Sequence, residues 1–157
     1  MVQNLKHNLE KKNKVRLAVI GGSFDSTIGK THLRSILASS KYEITCGCFS
    51  KKKIKNVKNS SFYSLPKNKI YNDLDNLLRS EIKNIDLALI ITPPKNRRKI
   101  YSKIIKKKIG IIAEKPFEAN IKEAKKSYKI IKKKKVFFAS TYNYLGYPAI
   151  MEIKNLI

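Results

Sequence analysis

Tryptophan is absent, cysteine occurs twice, and acidic residues are scarce: 11 Asp and Glu stand against 35 Lys and Arg. Each shortage closes off a class of protein. Two cysteines in 157 residues cannot build the disulfide framework of a small secreted domain. Cys46 and Cys48 have no second ligand pair elsewhere, so they read as core filler on one face of a strand, and no metal site is expected. No apolar run reaches the length of a membrane span, and no membrane partner is expected. Residues 1–14 are polar and basic, without the apolar segment of a secretory signal. A reduced, cytoplasmic setting is expected.

The shortage of acid leaves a net charge of +24, the kind of footprint a nucleic-acid binder carries. Its distribution argues otherwise. Lysines occur in the N-terminal tail, at Lys51–Lys53, at Lys106–Lys108 and at Lys132–Lys135, in a chain also crowded with Ile and Asn. No basic stretch is interleaved with aromatics that could stack on bases. The pattern fits solvated lysines on helix ends and loops, with weak attraction to polyanions and no specific nucleic-acid partner.

What is present is an alternation. Val15–Ile20 is a short, β-branched-rich run that reads as a buried strand, followed by glycines and a helical pattern over about 28–39. A second strand is expected at 43–49. A Ser- and Asn-rich loop over about 51–69 leads to a short strand near 69–71. Asp73 caps a helix over 74–82, where Leu74, Leu77 and Leu78 share a face. The continuous apolar run 85–91 suits a parallel strand covered on both sides. A helix over 97–108 and a strand at 110–113 follow. Asn120 and Glu123 have capping-box spacing and open a helix with Ile121, Ala124, Tyr128 and Ile131 along one face. A last strand is expected at 136–141, and Pro148 suits the first turn of a final helix. There is no internal repeat. The alternation predicts an α/β fold: a doubly wound parallel sheet of Rossmann type, with right-handed crossovers. Residues 1–14 are expected to be a mobile basic tail, 15–147 the domain, and 148–157 the start of a helix leading to a second domain that this chain lacks.

In such folds the ligand lies beyond the C-terminal ends of the strands. The first strand delivers Gly21-Gly22-Ser-Phe-Asp-Ser-Thr-Ile-Gly29-Lys-Thr-His32. A phosphate loop of the NTPase type would need glycine at position 24, where Phe24 stands, and a later strand ending in Asp, where Thr92 follows Ile91. A dinucleotide loop needs glycines for a tight turn, close backbone approach and helix packing. Gly21, Gly22 and Gly29 can supply these, and the helix N-terminus near Ile28 offers N–H groups to a pyrophosphate. A glycine turn without a ligand is the alternative. After the second strand comes Ser50-Lys51-Lys52 in place of the carboxylate that holds the ribose of NAD. Ser50 can bond a ribose or phosphate, and Lys51 would accept a 2′-phosphate, so the cofactor is NAD or NADP, with NADP slightly favoured.

Four stretches taken in order carry a resemblance: RLAVIGGSFDSTIGKTHLRS, LALIITPP, IIAEKPFEANIKEA and TYNYLGYP. Together they resemble the cofactor-binding half of the glucose-fructose oxidoreductase / inositol dehydrogenase / rhizopine-catabolism (Gfo/Idh/MocA) family. The resemblance implies a Rossmann domain binding NAD or NADP beside a substrate domain, and hydride transfer at a hydroxyl-bearing carbon of a sugar, polyol or related compound. It implies a homo-oligomer where the second domain is present. Lys115 matches the family lysine beside the nicotinamide, where an ammonium can bond the reacting oxygen. Pro116 would fix its backbone and Glu114 its surroundings. Ser26, Thr92, Pro93 and Asn143 are further cofactor-site positions that the resemblance implies. Five positions depart from the family pattern: Ser23 and Asp25 replace glycines, Pro94 and Arg97 replace the Asn and His of a Thr-Pro-Asn-x-x-His stretch, and Tyr142 replaces the His before the Asn-Tyr stretch. The partner Asp and His of the site belong to the second domain. His7 and His32 are not placed to substitute, and His32 is expected to pack or bond near the loop. The rival readings are a non-catalytic dinucleotide-binding module or gene remnant, and a basic nucleic-acid-binding protein.

Overall fold

Alternate residues of β1 (Val15–Ile20) face opposite ways, and both directions are apolar. Leu17 and Val19 enter one core, Ala18 and Ile20 the other, so the strand must be covered on both sides. The computed structural model describes residues 14–95 and 97–157; the rest of the basic tail, with His7, and Asn96 lie outside the described residues. The remaining strands are β2 (Tyr42–Cys48), β3 (Leu87–Ile90), β4 (Gly110–Glu114) and β5 (Phe138–Thr141). All pair in parallel, in the order β2-β1-β3-β4-β5. Beyond β2, Ile70 forms one parallel bridge with Gly47, and Tyr71 N–H donates to Gly47 O at 2.8 Å. The strand expected near 69–71 is thus reduced to a single bridge. Counted in chain order with that bridge, the sheet runs 3-2-1-4-5-6, the order of the two-half dinucleotide fold.

Among the described residues six α-helices flank the sheet: α1 (Thr27–Ala38), α2 (Lys53–Tyr63), α3 (Leu74–Glu81), α4 (Arg97–Ile105), α5 (Ile121–Lys134) and α6 (Pro148–Leu156). Leu33 and Ile36 of α1 and Tyr63 of α2 pack with Leu17, Val19 and Leu89 on one face. Leu77 and Leu78 of α3 and Tyr101, Ile104 and Ile105 of α4 pack with Ile20, Ile90 and Ile111 on the other. Tyr101 stacks on Phe117 and meets Phe138 edge-on, with centroids 5.7 and 5.3 Å apart. Below the sheet, the Arg16 guanidinium forks onto Asp86 at 2.7 and 3.0 Å, tying β1 to the start of β3.

Two expectations need correction. The stretch 51–69 is not a loop: it carries α2 and a 3-10 turn at Lys67–Lys69. Its apolar Ile54 and Val57 are exposed, while Asn59 and Tyr63 are buried, so an apolar-in pattern never forms there. On α5, Ile121 and Tyr128 point outward, and the inward row is Ala124, Ser127, Ile130 and Ile131. Buried Ser127 donates to Glu118 at 2.5 Å, so a polar pair occupies what looked like an apolar seam. Cys46 is buried, and burial pushes its thiol up to about 12 and that of Cys48 to about 11, as suits core filler. No helix among the described residues is long and apolar enough to cross a membrane.

Candidate functional site

The C-terminal ends of β1, β3 and β4 open onto one cleft of about 500 Å³. Its floor is the turn after β1. Gly21 and Gly22 hold φ of +84° and +71°, a region costly for any residue with a Cβ. A Cβ at Gly21 would sit 2.8 Å from Thr92 N, and one at Gly29 would sit 2.5 Å from Gly22 O. The glycines therefore let β1, β3 and α1 approach closely. Ser26 caps α1, its Oγ accepting from Gly29 N–H at 3.0 Å. The N–H groups of Thr27 and Ile28, in the first turn, have no acceptor within the helix and face the loop side, a ready anion site.

The loop is fastened by α2, the helix missing from the sequence reading. Asn59 Oδ1 accepts from Phe24 N–H at 2.7 Å and from Ser23 Oγ at 3.3 Å. Tyr63 OH donates to Gly22 O, and its ring stacks on Phe49 at 4.1 Å. Lys55 Nζ reaches Asp25 at 2.5 Å. That ammonium, then the Ser23 hydroxyl, hold the Asp25 carboxyl below its ordinary range. The carboxylate beside the phosphate loop thus arrives with its own counterion. The sequence signal for this was Asn59 and Tyr63 spaced one helical turn apart.

The opposite wall is the end of β4. Glu114 Oε1 bonds His32 Nε2 at 2.8 Å and accepts from Thr141 Oγ1 at 2.7 Å, linking α1, β4 and β5. Lys115 follows, exposed at the cleft mouth, joined to Pro116 by a cis peptide. Arg97, the departure from the family pattern, is only 2% exposed. Its guanidinium donates to the carbonyls of Thr92, Glu114 and Pro116, so it bridges the ends of β3 and β4 and brackets Lys115. Sequence reasoning marked the substitution but not this role.

Of the expected site residues, Gly21, Gly22, Ser26, Ile28, Thr92, Pro93, Glu114 and Lys115 line this cleft. Gly29 lies buried behind it against Gly22. Ser50 and Lys51 line a second hollow of about 460 Å³ over β2, which shares Gly21, Phe49 and Thr92 with the first. Asn143 lines neither; it is exposed in a 3-10 turn after β5. Thr92 Oγ1, at the join of the two hollows, is buried without a hydrogen-bond partner among the described residues. A polar atom left unpaired there, a glycine cradle that Cβ atoms would fill and an anion-ready helix end fit a two-part nucleotide lying across the switch point. No group of three or more His, Cys, Asp or Glu that could hold a metal occurs among the described residues.

The fold and this cleft define a dinucleotide-binding Rossmann unit. The family profile for oxidoreductases with an NAD-binding Rossmann fold, Gfo/Idh/MocA, matches residues 15–142. The chain belongs to that oxidoreductase family. No curated protein sequence matches it. Among solved structures it is similar to an oxidoreductase from Sinorhizobium meliloti, at 26% identity and a TM-score of 0.83, over 92% of this chain and 41% of that one. It shares its fold with an inositol dehydrogenase homolog from Azotobacter vinelandii complexed with NADH and myo-inositol, at 21% identity and TM-score 0.83, over 92% of this chain and 39% of that one. An oxidoreductase from Agrobacterium radiobacter, in complex with NAD+, L-tartaric acid and magnesium, matches at 16% identity and TM-score 0.79, over 92% and 40%. The chain thus spans about 40% of the length of these proteins.

Proposed function

We propose that this chain is the cofactor-binding half of an NAD(P)-dependent dehydrogenase acting at a hydroxyl-bearing carbon of a sugar, polyol or related hydroxy compound. The observation that carries the reading is one cleft that joins a glycine cradle to an exposed lysine. The dinucleotide, when bound, supplies the hydride acceptor or donor. The chain's own residues do the rest. Gly21, Gly22, Ser26, Ile28 and Gly29 receive the pyrophosphate, with Thr27 and Ile28 N–H groups toward it. Ser50 and Lys51 take the adenosine ribose. Lys51 has no ion-pair partner among the described residues, and its hollow holds Lys99 and Lys103 against Asp73 and Asp75, a small positive excess that leans toward a 2′-phosphate and so NADP over NAD. Thr92 and Pro93 form the wall between the halves. Lys115 bonds the substrate oxygen as it gains or loses its proton, and Glu114, held by His32 and Thr141, keeps that strand end in place.

Residues 15–147 act as the unit and 148–157 lead toward a substrate domain, in a cytoplasmic protein. The polyhydroxy ligands of the two complexes above support the substrate class. With the substrate domain supplied, Lys115→Ala should lower kcat by about 10²–10⁴ and leave cofactor affinity nearly unchanged. Unchanged turnover would end the catalytic role. A second reading is a dinucleotide-binding module without turnover, which the departures Arg97 and Tyr142 from the family pattern would suit. Reduced-cofactor binding with no oxidation of any polyol by the complete protein would favour it.

A further inference from the structure

Asp25 is the one carboxylate between Gly21 and His32, and it stands where the family pattern has glycine. Its backbone φ is not positive, so a side chain costs the chain nothing there. The cost is electrostatic. Ser26 caps α1 directly after it. The N–H groups of Thr27 and Ile28, without acceptors in the helix, follow two and three residues on, within about 8–11 Å along the chain. A carboxylate that near an anion site opposes any phosphate that enters it. Ser23 and Ser26 line the cleft on either side, but Asp25 does not. Its carboxylate is turned to α2, where Lys55 Nζ donates to Oδ2 at 2.5 Å. Asn59 and Tyr63 fasten α2 to Phe24 and Gly22, so Lys55 is carried on the element that grips the same loop.

Other cations lie on the same two helices: Lys30 on α1, and Lys53 and Lys58 on α2, the last over the Phe24 ring at 5.4 Å. Among the described residues only Lys55 pairs with Asp25. We propose that Lys55 is a positioning residue of the cofactor cleft: by pairing with Asp25 it cancels the loop's own negative charge and holds that carboxylate off the anion site, so that a pyrophosphate is received at the start of α1. This rests on the cofactor reading above. Lys55 acts through Asp25 and need not touch the cofactor. A unit charge about 8 Å from the two charges of a pyrophosphate, at an exposed site, changes affinity about fivefold. Both side chains are half-exposed, so salt screens the effect.

The test is equilibrium titration of the full chain with NADH and with NADPH, followed by nicotinamide fluorescence, at low and at physiological salt. At low salt Lys55→Gln should bind about fivefold more weakly than wild type, and the gap should narrow as salt rises. Lys55→Arg, which keeps the charge, should bind as wild type does. Asp25→Asn should bind no more weakly than wild type, and Asp25→Asn combined with Lys55→Gln should return to wild-type affinity. A pair that merely braces the loop predicts otherwise: either single change weakens binding, and the double variant stays weak at any salt. That pattern overturns the inference. If Lys55→Gln does not fold, weaker binding by Asp25→Asn overturns it equally. Failure of the wild type to bind either dinucleotide removes the cofactor reading itself, and this inference with it; binding that Lys55→Gln leaves unchanged removes this inference alone.

Discussion

Glu118 sits just past the Lys115–Pro116 wall, turned inward to Ser127. Burial, opposed by the Ser127 bond, leaves its carboxyl above the ordinary glutamate range. The unfolded chain releases that proton at the ordinary value and the folded chain only at a higher pH. Across that window the folded state holds more protons, so stability falls as pH rises, and the loss is complete above the folded value. Glu118→Gln keeps an oxygen for Ser127 and removes the titration. Thermal melts should show the variant more stable than wild type at neutral pH and no better below the ordinary glutamate value; an advantage independent of pH would contradict the assignment. At this scale much of the site was legible. Gly21, Gly22 and Lys115, singled out by local pattern, do line one cleft. Arg97 and His32 do not, because what they do depends on strand ends that meet only in the fold: a buried arginine satisfied by three carbonyls looks, in sequence, like one more cation among 35.

At the scale of elements, strands were easier than helices. Runs such as Leu87–Ile90 are apolar on both faces and say so directly. Helix α2 hides because its two anchors are an asparagine and a tyrosine, while its aliphatics face out, Ile54 being 78% exposed. The α5 face was misjudged for a related reason, since Ser127 holds the centre of its seam. The consequence is mechanical: the glycine loop is only as firm as its grip on α2. Asn59→Ala leaves the Phe24 N–H without its acceptor, at a cost of about 1–3 kcal/mol. Urea unfolding should show that loss, with a parallel fall in reduced-dinucleotide affinity. Stability lost without affinity lost would separate the loop from the helix and defeat this account.

For the whole molecule, the two cores lie within the sheet and its flanking helices, and α6 contributes no buried residue. Ile150, Met151, Ile153 and Leu156 are all exposed on it. Deleting 148–157 should change the free energy of unfolding by no more than about 0.5 kcal/mol, as for surface changes, and should reduce binding of a hydrophobic dye. A large destabilisation would mean that the segment belongs to the domain's own core. The net charge of +24 has a plainer meaning here than in sequence: the described ion pairs use carboxylates such as Asp25, Asp75, Asp86 and Glu123 to join separate elements, and most other lysines among the described residues are exposed to solvent.

The sheet's two margins differ. On one side Ile70 and Tyr71 close over β2 with a bridge and a hydrogen bond. On the other, β5 ends the sheet with Phe138-Ala-Ser-Thr141, which carries no charge and no proline, the devices that ordinarily discourage a strand from accepting a neighbour. Among the described residues, four residues of main chain there remain a short template on which a further strand could pair.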